Sequence, residues 1–491
     1  MSRYTRIAEN DDVIIALRDL AKGEVVAGIT LLDDVKQGHK IATHDMKAGH
    51  SLLKYGVSIG VLSEDVKQGQ WIHSHNLVTG LGAESDPYLY EPKSYPLPAA
   101  SSKTWKGYLR LDGSAGIRND LYLVPLVGCV NLVAEGIKRR FLSAHPDMDG
   151  SVHVLAHPYG CSQLGDDAET TRNLLAGLAK NPNAGGTLLL GLGCENNRLE
   201  YFLPALGQYD KRRVRFFQSQ DQQDEVLYGL QQLEELYANM RQDERVELPL
   251  SKLVIGLKCG GSDGFSGLTA NPLLGMMCDI AGQSGAKVAL TEVPEMFGAE
   301  RDLMNRAVDE EVFEKEVALI NNFKAYYARN NQPCYENPSP GNKDGGITTL
   351  EEKSNGCVLK GGHLPVVDVI DAALGQRITK PGLTLVNGPG NDLVAATNLA
   401  AAGAVILFFT TGRGTPFGSI IPTIKIATNH RLATFKANWI DFDAETALDT
   451  SFKQAAEKLL DLLLEVASGK QTKEERNDMA QIALFKTGVT L

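Results

Sequence analysis

The run Leu253-Val254-Ile255-Gly256-Leu257-Lys258-Cys259-Gly260-Gly261-Ser262-Asp263-Gly264-Phe265-Ser266-Gly267 reads as a buried strand that ends in a glycine-dense polar loop. Asn271-Pro272 then opens a helix. A strand, a polar loop and a helix in this order place the polar groups at the carboxyl end of a strand, where open α/β sheets bind their ligands. Two other loops repeat the pattern. His157-Pro158-Tyr159-Gly160-Cys161-Ser162-Gln163 follows Val152-His153-Val154-Leu155, and Gly193-Cys194-Glu195-Asn196-Asn197 follows Thr187-Leu188-Leu189-Leu190. Thiols on three strand-end loops suggest a metal or catalytic thiol site, because connecting loops carry most chemistry in such folds. Thiolates bind iron or zinc, and three of them with an open fourth position also suit an iron–sulfur cluster. Spacing does not separate a single ion from a cluster.

Working outward, the same alternation recurs. Thr384-Leu385-Val386 leads to Gly388-Pro389-Gly390-Asn391-Asp392 and a helix from Leu393 to Ala402. Val405 to Phe409 leads to Thr411-Gly412-Arg413-Gly414-Thr415-Pro416. Strands alternating with helices predict a doubly wound parallel sheet over 246–491 and a second α/β region over 105–245. Residues 1–80 differ. Asp33-Asp34-Val35-Lys36-Gln37-Gly38 returns as Glu64-Asp65-Val66-Lys67-Gln68-Gly69, with short apolar runs between, which predicts a small all-β module. Pro87, Pro92, Pro96 and Pro98 mark residues 81–104 as an extended linker, with Tyr88, Tyr90 and Tyr95 as candidates to pin it to a surface.

The bulk numbers narrow the function. A chain of 491 residues is too long for one ordinary core. Net charge is −11 with no long basic run, which argues against nucleic-acid binding. Ala404-Val405-Ile406-Leu407-Phe408-Phe409 is far too short to cross a bilayer, and Met1-Ser2-Arg3-Tyr4-Thr5-Arg6 lacks an apolar signal region, so a cytoplasmic location without membrane partners is expected. The seven cysteines form no CxxC pair and are expected to be reduced.

Four further stretches carry chemistry. His73-Ser74-His75-Asn76 puts two imidazoles on one face of a predicted strand, fit for a metal or for acid–base work, and equally a solvated edge. Glu292 and Glu295 in Thr291-Glu292-Val293-Pro294-Glu295 can ligate a cation or act as a base, or simply complement a helix dipole. Thr410 to Thr415 looks like an anion cradle of backbone N–H groups, hydroxyls and the Arg413 guanidinium. Lys343 lies in a long irregular segment, 337–349, of the kind that is functional when not disordered. Nicotinamide binding is disfavoured, since Gly191-Leu192-Gly193 lacks the third glycine of a dinucleotide fingerprint.

Together these residues resemble the altronate/galactarate dehydratase family. The resemblance runs from Lys54-Tyr55-Gly56 and His73-Ser74-His75-Asn76 through Tyr159 to Asp167, Gly191 to Asn197, the Cys259 loop, Thr291 to Glu300, Tyr335 to Thr349 and Thr411 to Pro416, to the ending Lys486-Thr487-Gly488-Val489-Thr490-Leu491. It implies a multi-domain α/β protein: an SAF-type β-clip module, a linker, a middle domain with homodimer contacts and a Rossmann-like C-terminal domain. It also implies an iron-requiring hydro-lyase of a small-molecule sugar acid, with altronate the expected substrate and galactarate or another aldonate the alternatives. Fe2+ is the expected cofactor, with Mn2+ a substitute and an iron–sulfur cluster still open. In that frame the expected metal ligands are Cys161, Cys194 and Cys259. His73, His75, Lys343 and Glu292 are the catalytic candidates, and Arg413, Thr411, Ser262, Asp263 and Asn391 the substrate-binding ones. A nucleotide-dependent oxidoreductase and a non-catalytic binding protein are the rivals.

Overall fold

The computed structural model describes residues 3–82 and 88–490. Met1-Ser2, Pro87 of the proline-rich stretch and Leu491 of the C-terminal motif lie outside the described residues.

The N-terminal module is all β. Strands Tyr4–Thr5, Val13–Ala16, Lys40–Ala42 and Trp71–Ile72 form an antiparallel sheet, and the hairpin Ser51–Lys54 with Val57–Leu62 joins Leu77–Val78. The sequence repeat has a structural meaning. Val35 bridges to Leu20, and Val66 bridges to Met46 in the same way. Each copy then turns at a glycine with positive φ, Gly38 at 82° and Gly69 at 84°. A Cβ at Gly69 would lie 2.1 Å from the Thr30 carbonyl, so the second turn admits no side chain.

The predicted tyrosine pins hold. Tyr88 donates to Glu300 at 2.7 Å, Tyr90 to the Ala307 carbonyl at 2.8 Å and Tyr95 to Asp302 at 3.2 Å.

Two parallel sheets follow, with their strands numbered here in chain order. The first contains β1 (Asp120–Pro125), β2 (Val152–Val154), β3 (Ala184–Gly191) and β4 (Val214–Gln218), in the order β2-β1-β3-β4. The second contains β5 (Val254–Cys259), β6 (Lys287–Leu290), β7 (Val366–Ile370), β8 (Gly382–Val386), β9 (Ile406–Thr411), β10 (Thr423–Ala427) and β11 (Phe442–Asp443). Its order is β7-β8-β6-β5-β9-β10-β11, parallel throughout. The chain starts in the middle at β5, runs outward through β6, and returns to the other side of β5 with β9. The crevice between the loops after β5 and β9 is therefore a topological switch point.

The two sheets share a core. Tyr122, Val124 and Leu189 of the first belong to one buried cluster with Ala289, Val386, Leu407 and Phe409 of the second. Helices Asp166–Ala179 and Asp392–Ala401 approach so closely there that a Cβ at Gly177 would meet the Ala401 carbonyl at 2.4 Å. No helix among the described residues is long and apolar enough to cross a membrane.

The N-terminal module docks on the second sheet's domain through a buried charge triad. Glu352, on helix Leu350–Val358, takes Lys40 Nζ at 2.9 Å and Lys54 Nζ at 2.8 Å. Thr348 adds its backbone N–H at 2.8 Å and its hydroxyl at 2.7 Å. All three charged side chains are fully buried. Burial by itself would raise the Glu352 pKa, but the two ammoniums outweigh it and hold the carboxyl below the usual carboxylate range.

Two local expectations change. His73 and His75 are not on a strand, which ends at Ile72. Asn76 accepts from the His73 N–H at 2.9 Å and donates to the Trp71 carbonyl at 3.0 Å, folding the segment into a turn. The 337–349 segment contains the short helix Pro340–Asp344, capped by Ser339.

Candidate functional site

A cleft of about 720 Å3 opens at the switch point. Asp263 and Phe265 line it from the loop after β5, Gly412 and Arg413 from the loop after β9, and Asn429 and Arg431 from the cap and first turn of helix His430–Phe435, which follows β10. The N-terminal module covers one side with Asp19, Lys36 and Gln37. Lys36, Arg413 and Arg431 bring positive charge to a lining that also holds Asp19, Asp263 and Asp344, so a cation is at hand for a carboxylate. Of the residues singled out in the sequence, Asp263 and Arg413 line this cleft.

Asp263 ties the loop after β5 to the residues that follow β10. Its carboxylate accepts from the Thr428 hydroxyl at 3.0 Å, Asn429 Nδ2 at 3.1 Å and the Phe265 N–H at 3.1 Å. Gly412 leaves it room, since a Cβ there would lie 2.1 Å from Asp263 Cγ. Burial dominates over these donors and pushes the Asp263 carboxyl up to about 6.

The 410–415 loop is not an open anion cradle. Its Gly412 and Arg413 N–H groups both donate to the Gly261 carbonyl, at 3.0 and 2.9 Å, and Gly414 N–H donates to the Thr411 hydroxyl at 2.9 Å. The backbone donors are spent on closing the loop, which leaves the Arg413 guanidinium to meet an anion. Thr411 is buried behind it. Ser262 is buried too, and its hydroxyl has no partner among the described residues. Asn391 caps helix Asp392–Ala401 by accepting from Val394 N–H at 3.1 Å.

Behind the Asp263 loop lies a buried centre of thiols, carboxylates and ammoniums. Cys259 ends β5, Glu292 and Glu295 follow β6, and Cys357 lies in the last turn of helix Leu350–Val358. Glu295 Oε2 lies 3.3 Å from Cys259 Sγ and 3.0 Å from Cys357 Sγ, and the two sulfurs are 3.4 Å apart. Among the described residues this is the one trio of His, Cys, Asp or Glu ligand atoms lying within 4.8 Å of one another. Lys353 Nζ holds the other Glu295 oxygen at 2.7 Å. Glu292 receives Lys258, Lys360 Nζ at 3.1 Å and the Cys259 N–H at 3.1 Å, and Lys258 also reaches Asp392 at 2.8 Å.

This buried crowding moves the titrations. Burial would raise Glu295, but Lys353, Lys258 and Lys360 outweigh it and hold the carboxyl below the usual range. The Cys357 thiol is pushed well up, first by its hydrogen bond to Cys259 and then by burial. Glu292 adopts the left-handed conformation, φ 71°, uncommon for a residue with a side chain and frequent where function over-determines the backbone.

The expected metal set does not assemble as one. Cys259 is buried in the second sheet's domain, whereas Cys161 and Cys194 are exposed on loops of the first sheet. The three loops share a strand-end look, but they sit on two different sheets. Cys357, Lys353 and Lys360 were missed because a helical cysteine among charged residues has no local signature. Gly128-Cys129-Val130-Asn131 repeats the Gly–Cys–x–Asn/Gln pattern of the Cys161 and Cys194 loops.

The histidines form the module's seam. His73 Nε2 lies 2.8 Å from the Lys343 carbonyl, and His39 Nε2 lies 3.3 Å from that of Asp344. The two rings stack at 5.2 Å, and His73 also stacks on Trp71 at 4.9 Å. Burial lowers both, His39 to about 4, so His39 is neutral at neutral pH. His75 packs on Trp71 at 5.0 Å and is exposed. Lys343 is half-buried on helix Pro340–Asp344 beside this seam.

Comparison with known proteins covers the whole chain. Residues 2–80 match the altronate/galactarate dehydratase SAF domain, 107–241 the second domain of D-galactarate dehydratase/altronate hydrolase, and 250–490 the C-terminal domain of D-galactarate/altronate dehydratase. Over 500 residues the chain is 49% identical to an altronate dehydratase of Bacillus subtilis (strain 168), and over 497 residues 48% identical to one of Escherichia coli (strain K12), with 100% of each chain covered. A galactarate dehydratase (L-threo-forming) of Escherichia coli (strain K12) is 34% identical over 492 residues, covering 95% of this chain and 93% of its own. With a two-loop cleft above a buried thiol–carboxylate centre, and similarity running from end to end, the chain belongs to the galactarate/altronate dehydratase family.

Proposed function

We propose that this chain is a hydro-lyase that converts D-altronate to 2-dehydro-3-deoxy-D-gluconate and water. The observation that carries the choice of substrate is near-half identity, over full length, to two altronate dehydratases against 34% to a galactarate dehydratase. The proposal includes the three-part organisation, with a Rossmann-like last domain, and a homodimer built on the 105–245 region.

In this reading the substrate carboxylate pairs with Arg413 and the hydroxyls face Asp263 and Asn429. The C2 proton is only weakly acidic, because the neighbouring carboxylate is already negative, so removing it needs a base and positive charge nearby. Asp263 is ionised above about pH 6 and retains more basicity than an ordinary aspartate, which suits it to take that proton at Oδ. Once protonated, it faces the same bound substrate and gives the proton to the departing C3 hydroxyl.

The residues fit an iron ion. Two thiols converge on the one Glu295 oxygen that Lys353 leaves free, and two thiolates with a carboxylate are suitable donors for divalent iron. Cys259, Cys357 and Glu295 would hold it, and it would supply Lewis-acid charge to the reaction.

An anaerobic assay with Fe2+ and reductant, run on altronate and galactarate side by side, tests the reading. Formation of a 2-keto-3-deoxy acid from altronate, with galactarate turned over at least about tenfold more slowly, is the expected result. The reverse preference moves the chain to the galactarate branch. Arg413→Ala is expected to raise KM about 10–100-fold, the loss of one charge-assisted contact, with a smaller change in kcat. An unchanged KM removes Arg413 from carboxylate binding.

A further inference from the structure

The exposed cysteines of this chain are Cys129, Cys161 and Cys194. Cysteine is among the residues most often buried, so three exposed thiols call for a reason. All three lie at one edge of the first sheet. Cys129 follows β1, Cys161 follows β2 and Cys194 follows β3, and β1 pairs in parallel with both neighbours. Adjacent strands are about 4.8 Å apart, so three neighbouring strand ends deliver their loops to one small area.

The loops are tied together there. Gly128 N–H donates to the Tyr159 carbonyl at 2.9 Å, Asn197 N–H to the Gly160 carbonyl at 3.0 Å, and Ser162 N–H to Asn196 Oδ1 at 2.8 Å. Two of the glycines before the cysteines permit this approach. A Cβ at Gly160, φ 96°, would lie 2.0 Å from the Leu126 carbonyl, and one at Gly193, φ 127°, would lie 2.6 Å from Gln220 Oε1. Donors already face two sulfurs: Gln220 Nε2 at 3.7 Å from Cys194 Sγ, and the Ser162 hydroxyl at 3.8 Å from Cys161 Sγ. Two polar atoms, each on a residue two positions after one of these cysteines, are buried without a partner among the described residues, Gln163 Nε2 and Asn131 Oδ1, and Gln163 is only 3% exposed. A backbone held this tightly around three outward thiols, with spare polar atoms beside them, is built to receive something.

These sulfurs are not among the ligand trios within 4.8 Å of one another, unlike Cys259, Glu295 and Cys357. A single ion draws its ligands closer than that, whereas a cubane spreads its thiolates over separate iron atoms. We propose that Cys129, Cys161 and Cys194 ligate a [4Fe–4S] cluster at the carboxyl edge of the first sheet, with one iron left without a protein thiolate. The site is separate from the buried Cys259 centre, and its assignment does not depend on which sugar acid the enzyme takes.

Full-length protein produced and purified without oxygen is analysed for acid-labile sulfide, visible absorption and the EPR signal after reduction. About four sulfides per chain are expected, with the broad visible band of a cluster. Cys129→Ser, Cys161→Ser and Cys194→Ser are each expected to lower sulfide about tenfold or more, at least the loss seen when a metal site loses a supporting group. Cys259→Ser and Cys357→Ser are expected to keep it. Absence of sulfide in the unsubstituted protein overturns the proposal, as does full sulfide in the three variants or its loss in the Cys259 and Cys357 variants. Should a variant fail to fold, maleimide labelling of the unsubstituted protein decides. The three thiols should be protected as isolated and react once the cluster is stripped with chelator and ferricyanide, and equal labelling in both states overturns the assignment.

Discussion

Glu352→Ala is expected to detach the N-terminal module and to lower stability by about 3–5 kcal/mol, the cost of removing one partner from a buried ion pair. Two ammoniums, Lys40 and Lys54, would then be buried with no carboxylate between them. The effect should be local before it is global: amide exchange around 40–54 and 346–352 speeds up, and the first denaturation transition moves to lower denaturant. Lys54→Met should cost less, because Lys40 and Glu352 remain as a matched pair. The Glu352 contribution is present above the ordinary carboxylate range, since its folded value is depressed, and it is lost only as pH falls through that depressed value. A Glu352→Ala protein with unchanged exchange and an unchanged transition would show that the triad does not hold the module. The same geometry predicts that deleting residues 1–80 removes both cations from Glu352 and one side of the cleft, so the remainder loses stability as well as turnover.

The second large effect concerns Asp263. Asp263→Asn is expected to lower kcat about 100- to 10,000-fold, the range for loss of a general base. The pH dependence separates this from a structural loss. With the carboxyl at about 6 in the folded protein, the base is protonated below that pH, so kcat/KM should fall on the acid side with a midpoint near 6. That limb should be absent from the residual activity of the variant. Stability moves the opposite way. Because the folded value is raised above the ordinary 3.8, the term is fully present below about 4 and is lost as pH rises through 6. Asp263→Asn should therefore be no less stable at neutral pH, apart from the hydrogen bonds it reorganises with Thr428 and Asn429. A wild-type acid limb that survives the substitution would move the base elsewhere, with Glu292 beside Lys258 the next group to test.

Local order was legible because local physics writes it. The strand before Cys259, the helix after Asn271, the turn repeat ending at Gly38 and Gly69, and the pinning tyrosines follow from period, punctuation and side-chain chemistry along the chain. The loop holding Asp263 and the one holding Arg413 were likewise visible as polar strand ends. Their meeting in one cleft was not, because it depends on β9 returning beside β5 after the chain has already laid down β6, β7 and β8. Long-range order also decided which thiols are neighbours. Cys259 and Cys357 touch across 98 positions of sequence, while Cys161, which shares the Gly–Cys look, belongs to another sheet. The sequence by itself determined which residues can ionise, ligate or turn. Only the tertiary structure decided which of them are buried together, and burial is what pairs Glu352 with two lysines, lifts Asp263 to about 6 and sets His73 in the seam beside Lys343. Desolvation and charge pairing act through space, over distances of a few ångströms that chain spacing does not encode.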